Sequence, residues 1–164
     1  MIKIIGIDPG LRNTGWGVIG VNGNHLHHIG HGVVRSTDKG TTAARLAELF
    51  KGLQNIIETH EPHEAAVEET FVNMNPTSTL KLGLARGMAI VVPALRDIPV
   101  AEYSANRIKK AVVGVGHADK KQMGHMVQVL LPMAGEVKLD AADALAVAIC
   151  HAHFRLNDIL RGQK

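Results

Sequence analysis

Five carboxylates in this chain stand where they could share a divalent cation. Asp8 closes the apolar run IKIIGID, Glu68 and Glu69 follow the short apolar stretch AAV, and Asp140 and Asp143 lie in LDAADALAVA. Taken singly, each has an ordinary explanation. An Asp before Pro-Gly is a turn residue or a cap, an acid pair at a strand end is a pair of edge charges, and an Asp at a helix start is an N-cap or first-turn charge. Spacing adds to this. Neighbouring strand residues point to opposite faces, so only one of Glu68 and Glu69 can share a face with Asp8, and the pattern does not choose between them. Asp140 and Asp143 are three apart and share a helix face, where Ala141, Ala142 and Ala144 keep the surface slim. Magnesium takes oxygen ligands. Two such ions roughly 3.5–4 Å apart can clamp the attacking and leaving oxygens of an in-line phosphoryl displacement. Acids brought together without cations repel one another and repel phosphate.

Other chemistries are less well supported. The ten histidines include His25, His27, His28 and His31 in one strand-like stretch and His151 and His153 near the chain's end. None shows HExxH spacing or a cysteine partner, which favours surface or tuning roles. Cys150, the single cysteine, lies in ALAVAIC and reads as buried filler, not a nucleophile. Between Arg107 and Lys121 the cations Arg107, Lys109, Lys110, Lys120 and Lys121 face only Asp119. Charge alone reads this segment as a solvated face as readily as a nucleic-acid contact.

The elements that must position these groups follow from patterning. Residues 2–8 suit a central strand buried on both faces. Segments 14–21 and 25–35 flank Asn22-Gly23, a hairpin signal, so three sequential antiparallel strands are expected. Thr41 or Thr42 caps a helix reaching about residue 59, with Leu46, Leu49, Phe50, Leu53, Ile56 and Ile57 at helical spacing. A strand over about 64–70 follows. Next come a loop with Asn73, Asn75 and Pro76, a helix over about 77–95, a short strand over about 98–102, and helical stretches near 104–111 and 119–131 split by Gly114-Val115-Gly116. A last helix runs from near Asp140 to about Arg161. Strands first and then alternating helices and strands imply an α/β fold with a mixed sheet covered on both faces.

Composition agrees. The 164 residues fit one domain over 1–164, with a flexible tail expected after about 156. A 46% hydrophobic and 20% charged composition is that of a globular protein. The net charge of +3 and pI of about 9.2 permit nucleic-acid binding without establishing it. The N-terminus shows no signal or transit layout and no apolar run is long enough for a bilayer, so a cytoplasmic protein with no membrane partner is expected.

The fragments GIDPGLRNTGWGVI, AVEETF, LKLGLARG, VVGVG and LDAADALAVAI, in this order and at this spacing over nearly the whole chain, resemble the RuvC family of Holliday junction resolvases. The resemblance implies an RNase H-like fold, with a mixed five-stranded sheet and helices on both faces. It also implies a bacterial, nucleoid-associated homodimer that makes paired, symmetric, magnesium-dependent cuts in opposing strands of a four-way junction during recombination and repair. Products with 5′-phosphate and 3′-hydroxyl ends are expected, and RuvA and RuvB are expected partners. By motif position the resemblance puts the catalytic and metal-binding acids on Asp8, Glu68, Asp140 and Asp143, selecting Glu68 over Glu69. Two Mg2+ ions per site are expected, with Mn2+ able to substitute. One would lie between Asp8 and Asp140, with Asp143 as a candidate ligand, and the other between Asp8 and Glu68. The family's functional aromatic falls on Phe71, a base-stacking wedge, and its important lysines on Lys109 and Lys120. Lys81 and Arg86 on the second helix are candidate phosphate contacts, with a solvated face as the equal alternative. Gly83 and Gly87 on that helix invite close approach by a dimer partner or by an internal element.

Two other readings compete. Asp8, Gly10, Thr14 and Gly15 echo the phosphate loop of actin-like and sugar-kinase folds, but those proteins need two such domains. A non-catalytic module that binds branched DNA would use the basic segment equally well, yet it gives no reason to keep four acids near DNA.

Overall fold

The computed structural model describes residues 1–70, 72 and 74–160, the last five by backbone only. Its centre is a five-stranded sheet in the order β3-β2-β1-β4-β5. Strands β1 (Ile2–Asp8), β2 (Asn13–Asn22) and β3 (His25–Arg35) form an antiparallel meander, turning at Gly23 with φ 58°. Strands β4 (Glu64–Glu68) and β5 (Val100–Tyr103) add in parallel to β1. The sheet is mixed, as expected, because the hairpin needs only a tight turn whereas β4 and β5 arrive through helical crossovers.

Each face carries its own core. Ile5, Ile7, Val18, Ala65 and Val67 pack with Leu53, Ile57, Ala89 and Val92, from α1 (Thr42–His60) and α2 (Pro76–Ala94). On the opposite face Ile4, Ile19, Val21 and Ala66 meet α5 (Leu139–Leu160), flanked by α3 (Ala105–Val113) and α4 (Lys120–Leu130). Strand alternation sorts the β1 and β4 side chains between the two cores.

Boundaries differ from expectation for local reasons. β4 stops at Glu68, not residue 70, because its parallel partner β5 ends at Tyr103, whose carbonyl takes the Glu69 N–H at 2.9 Å. β5 begins at Val100, since Pro99 has no N–H to offer a ladder, though its carbonyl accepts from Ala65 at 2.9 Å. α2 begins at Pro76, because the Asn75 side chain caps Thr77 and Ser78 and proline suits the first helical position. Thr41, not Thr42, caps α1. A short 3-10 turn over Pro132–Ala134, absent from the sequence expectation, precedes α5.

Candidate active site

The acids converge through strand register. β1 and β4 pair Ile7 with Val67, which brings the next residues, Asp8 and Glu68, side by side. Asp8 shares its parity with Ile4, and Glu68 with Ala66, so both project onto the face covered by α5. Parity thus decides for Glu68 over Glu69. The carboxyls of Asp8 and Glu68 line one cleft and interact closely enough to shift each other's proton affinity. Helix α5 delivers Asp140 in its first turn and Asp143 one turn further on.

How α5 reaches the strands was not read from the sequence. A Cβ on Gly15 would lie 2.0 Å from the Asp140 carbonyl oxygen, and one on Gly6 would lie 2.1 Å from that of Ala144. Hydrogen at those positions lets the helix backbone settle onto the sheet, with Ala144 and Ala148 as its own small residues. Gly6 in β1 and the alternating Gly15 and Gly17 in β2, opposite an alanine-rich helix, were the available signal. Thr14 was also missed as a positioning group. Fully buried, its hydroxyl donates to the Gly10 carbonyl at 2.7 Å and closes the turn that follows Asp8.

Crowding shows in the proton affinities. Burial, then the charges of Glu68 and Asp143, the Glu68 hydrogen bond and the charge of Asp140 push Asp8 up to about 8. Burial also raises Glu68, aided by Asp143, while the Asp8 hydrogen bond, Lys120 and Lys109 pull it back. Asp143 rises through burial and the nearby Asp140, against the pull of Lys120. Three carboxyls that resist ionisation are short of positive charge, and their all-oxygen donor set suits a hard divalent cation. Among the described residues no group of three or more His, Cys, Asp or Glu side chains is already placed to hold a metal ion.

Lys109 and Lys120 line the same cleft as Asp8, Glu68 and Asp143; it encloses about 420 Å³ between α3, α4 and the sheet. Lys120 Nζ stands 3.6 Å from Asp143. Its place is set by a capping box in which Asp119 accepts from Gln122 at 2.8 Å and Gln122 accepts from Asp119 at 2.9 Å, starting α4 at Lys120. The lone acid of the basic segment is therefore a cap. Arg107 turns away, its guanidinium 4.2 Å from the Phe154 ring centroid.

Lys81 and Arg86 do not line that cleft. Lys81 is exposed on α2. Arg86 is tied to Glu102 of β5, so a phosphate there would compete with a carboxylate already in place. Phe71 falls outside the described residues. His151 bridges Tyr103 and Glu64, each at 2.8 Å, and His28 bonds His31 at 2.8 Å. Burial pushes the Cys150 thiol up to about 12, as expected of inert filler.

The chain is similar to known proteins over most of its length. The family model described as crossover junction endodeoxyribonuclease RuvC matches residues 4–151. A protein of that description from Beijerinckia indica subsp. indica is 57% identical over 156 residues, covering 95% of this chain and 89% of its own length. Another from Rhodospirillum rubrum is 58% identical over 154 residues, covering 94% and 91%. Among solved structures, T. thermophilus RuvC in complex with Holliday junction substrate matches with a TM-score of 0.89 at 28% identity, covering 96% of each chain.

Proposed function

This chain belongs to the RuvC family of crossover junction endodeoxyribonucleases and has its RNase H-like fold, and from that membership we propose how its residues resolve a Holliday junction. Asp8, Glu68, Asp140 and Asp143 hold divalent metal, magnesium by preference, with two ions per site and manganese able to replace them. The convergence of Asp8, Glu68 and Asp143 with Lys109 and Lys120 in one cleft carries this reading.

Bound there, the metal supplies water activation and charge neutralisation. The chain's own residues do the rest. Asp8 and Glu68, on adjacent strand ends, form a rigid floor, and α5 brings Asp140 and Asp143 against it. Lys120, held near Asp143, and Lys109 offset the negative charge that builds on the scissile phosphate, a role of the kind that preorganised cations fill. Departure of the 3′ oxygen leaves 5′-phosphate and 3′-hydroxyl ends fit for ligation. Phe71, just past β4, stacks on a base and unpairs the junction beside the cut. Lys81 and Arg86 contact phosphate further out.

The chain, as one nuclease domain, works as a two-fold dimer, matching two active sites to two opposing strands. RuvA and RuvB are partners, and the working place is the bacterial nucleoid. Among the described residues no helix is long and apolar enough to cross a membrane.

The test is nicking of a synthetic four-way junction against linear duplex, with magnesium and with chelator. Paired symmetric cuts that need both magnesium and the junction are the expected result. Tight junction binding without cutting under any metal would remove the catalytic role of all four acids.

A further inference from the structure

A second cleft opens on the other flank of α5. His31 and Arg35 of β3 form one wall, and Glu136, Lys138 and Ala141, leading into α5, form the other, around about 470 Å³. We propose that this cleft is a second phosphodiester-binding site, in which Arg35 and Lys138 hold the DNA backbone on the β3 side of the catalytic acids.

Position is the first argument. Asp8 ends β1, Asn13 begins β2 and Arg35 ends β3, with Asn13 paired to Arg35 and Gly15 paired to Asp8. These strand ends share one rim of the sheet. The first turns of α5 divide that rim. Asp143 and Ala146 face the cleft with Lys109 and Lys120, while Ala141 lines the second cleft. Asp140 precedes Ala141 in the first turn of α5. A strand laid across the acids from the Lys109–Lys120 side leaves them toward Arg35 and Lys138.

Charge is the second argument. Six arginines at described positions already have partners. Arg12 and Arg45 pair with Asp38, Arg86 with Glu102, Arg96 with Glu58, Arg155 with Glu64, and Arg107 lies over the Tyr103 and Phe154 rings. Arg35 is exposed and makes no such contact among the described residues; the same holds for Lys138 across the cleft. The cleft carries one acid, Glu136, against these two cations. Its occupant is therefore an anion that both can reach, and the phosphate chain beside the acids is that anion.

This inference rests on the junction-cutting reading, and the experiment separates the two. Four-way junction binding would be measured by the uncut Asp8→Asn protein with magnesium over a salt series, then with Arg35→Ala and Lys138→Ala added together. The double change should weaken binding about tenfold or more and flatten the log–log salt slope by ~0.9 for each phosphate no longer neutralised. Arg35→Lys with Lys138→Arg should keep the slope, and Glu136→Gln should tighten binding. An unchanged affinity, or a weaker one with an unchanged slope, would overturn the second site and leave the resolvase reading standing. A parent protein that did not prefer the junction to linear duplex would overturn both.

Discussion

At Asp8, burial and four acids in one place work against ionisation. A carboxyl whose folded pKa is raised ionises more readily in the unfolded chain. The stability it leaves intact below its ordinary range near 3.8 is lost as pH rises toward about 8. Without metal, the wild-type protein should therefore lose thermal stability from about pH 5 to 8 through this group, and Asp8→Asn should abolish that loss. In chelator at about pH 8 the variant should melt higher, by ~2–4 °C for each kcal/mol relieved. Magnesium should raise the Tm of the wild type and have little effect on the variant. Calorimetry of both proteins with and without metal checks this, and equal melting in chelator would mean that the acids do not crowd one another. Lys120 works in the opposite sense. Removing it as Lys120→Ala should slow single-turnover cutting ~10²-fold or more, with a smaller effect on junction binding.

The decisive element is α5, because it carries two of the acids and is held at both ends. Near its start it lies against Gly15 and Gly6. Further along, His151 and Arg155 hold Glu64, at the far end of β4 from Glu68, at 2.8 and 2.6 Å. Burial would push Glu64 up, but hydrogen bonds from Arg155 and His151 outweigh it and hold the carboxyl below its usual range. That anchor is present above the ordinary carboxylate range and fades as pH falls through the lowered value. The helix is thus placed by close backbone contact at one end and by charge at the other. Gly15→Ala should push the first turn of α5 off the sheet, since its Cβ would fall 2.0 Å from the Asp140 carbonyl. Metal-dependent cutting should drop more than tenfold, and the metal-induced gain in Tm should shrink. Overpacking of this kind costs about 1–3 kcal/mol, so the protein should still fold.

Over the whole molecule, a face of α2 is without an internal partner among the described residues. On α2, Leu80 is 71% and Leu84 44% exposed, and a Cβ at Gly83 or Gly87 would meet nothing within 4 Å. Among the described residues nothing packs against either glycine, so in the dimer proposed above these positions are open to the partner. An apolar stripe with small residues between its leucines suits a second copy of the same helix across a two-fold axis. Leu80→Glu with Leu84→Glu should yield a monomer by sedimentation. Its junction cuts should become unpaired nicks, because symmetric cleavage needs two sites held together.

Much of this was legible along the chain. Strand parity and hairpin chemistry are local, so the meander, the helices and the mixed sheet could be read from the pattern of apolar residues and turns. Motif order pointed to Asp8, Glu68, Asp140 and Asp143 with Lys109 and Lys120, and the fold brings all of these but Asp140 to the lining of one cleft. Residue pattern alone left Glu68 and Glu69 open, since a strand's phase relative to a neighbour sixty residues away is set by pairing and not by its own sequence. Tertiary structure decided that phase through the β1–β4 register. It also decided how α5 seats on Gly6 and Gly15, and which cations are spent. Arg86 and Arg107 look as available as Arg35 in the sequence, yet two have partners across the fold and, among the described residues, Arg35 has none. Ion pairs between distant segments depend on where the backbone brings them, and the linear chain does not record that distance.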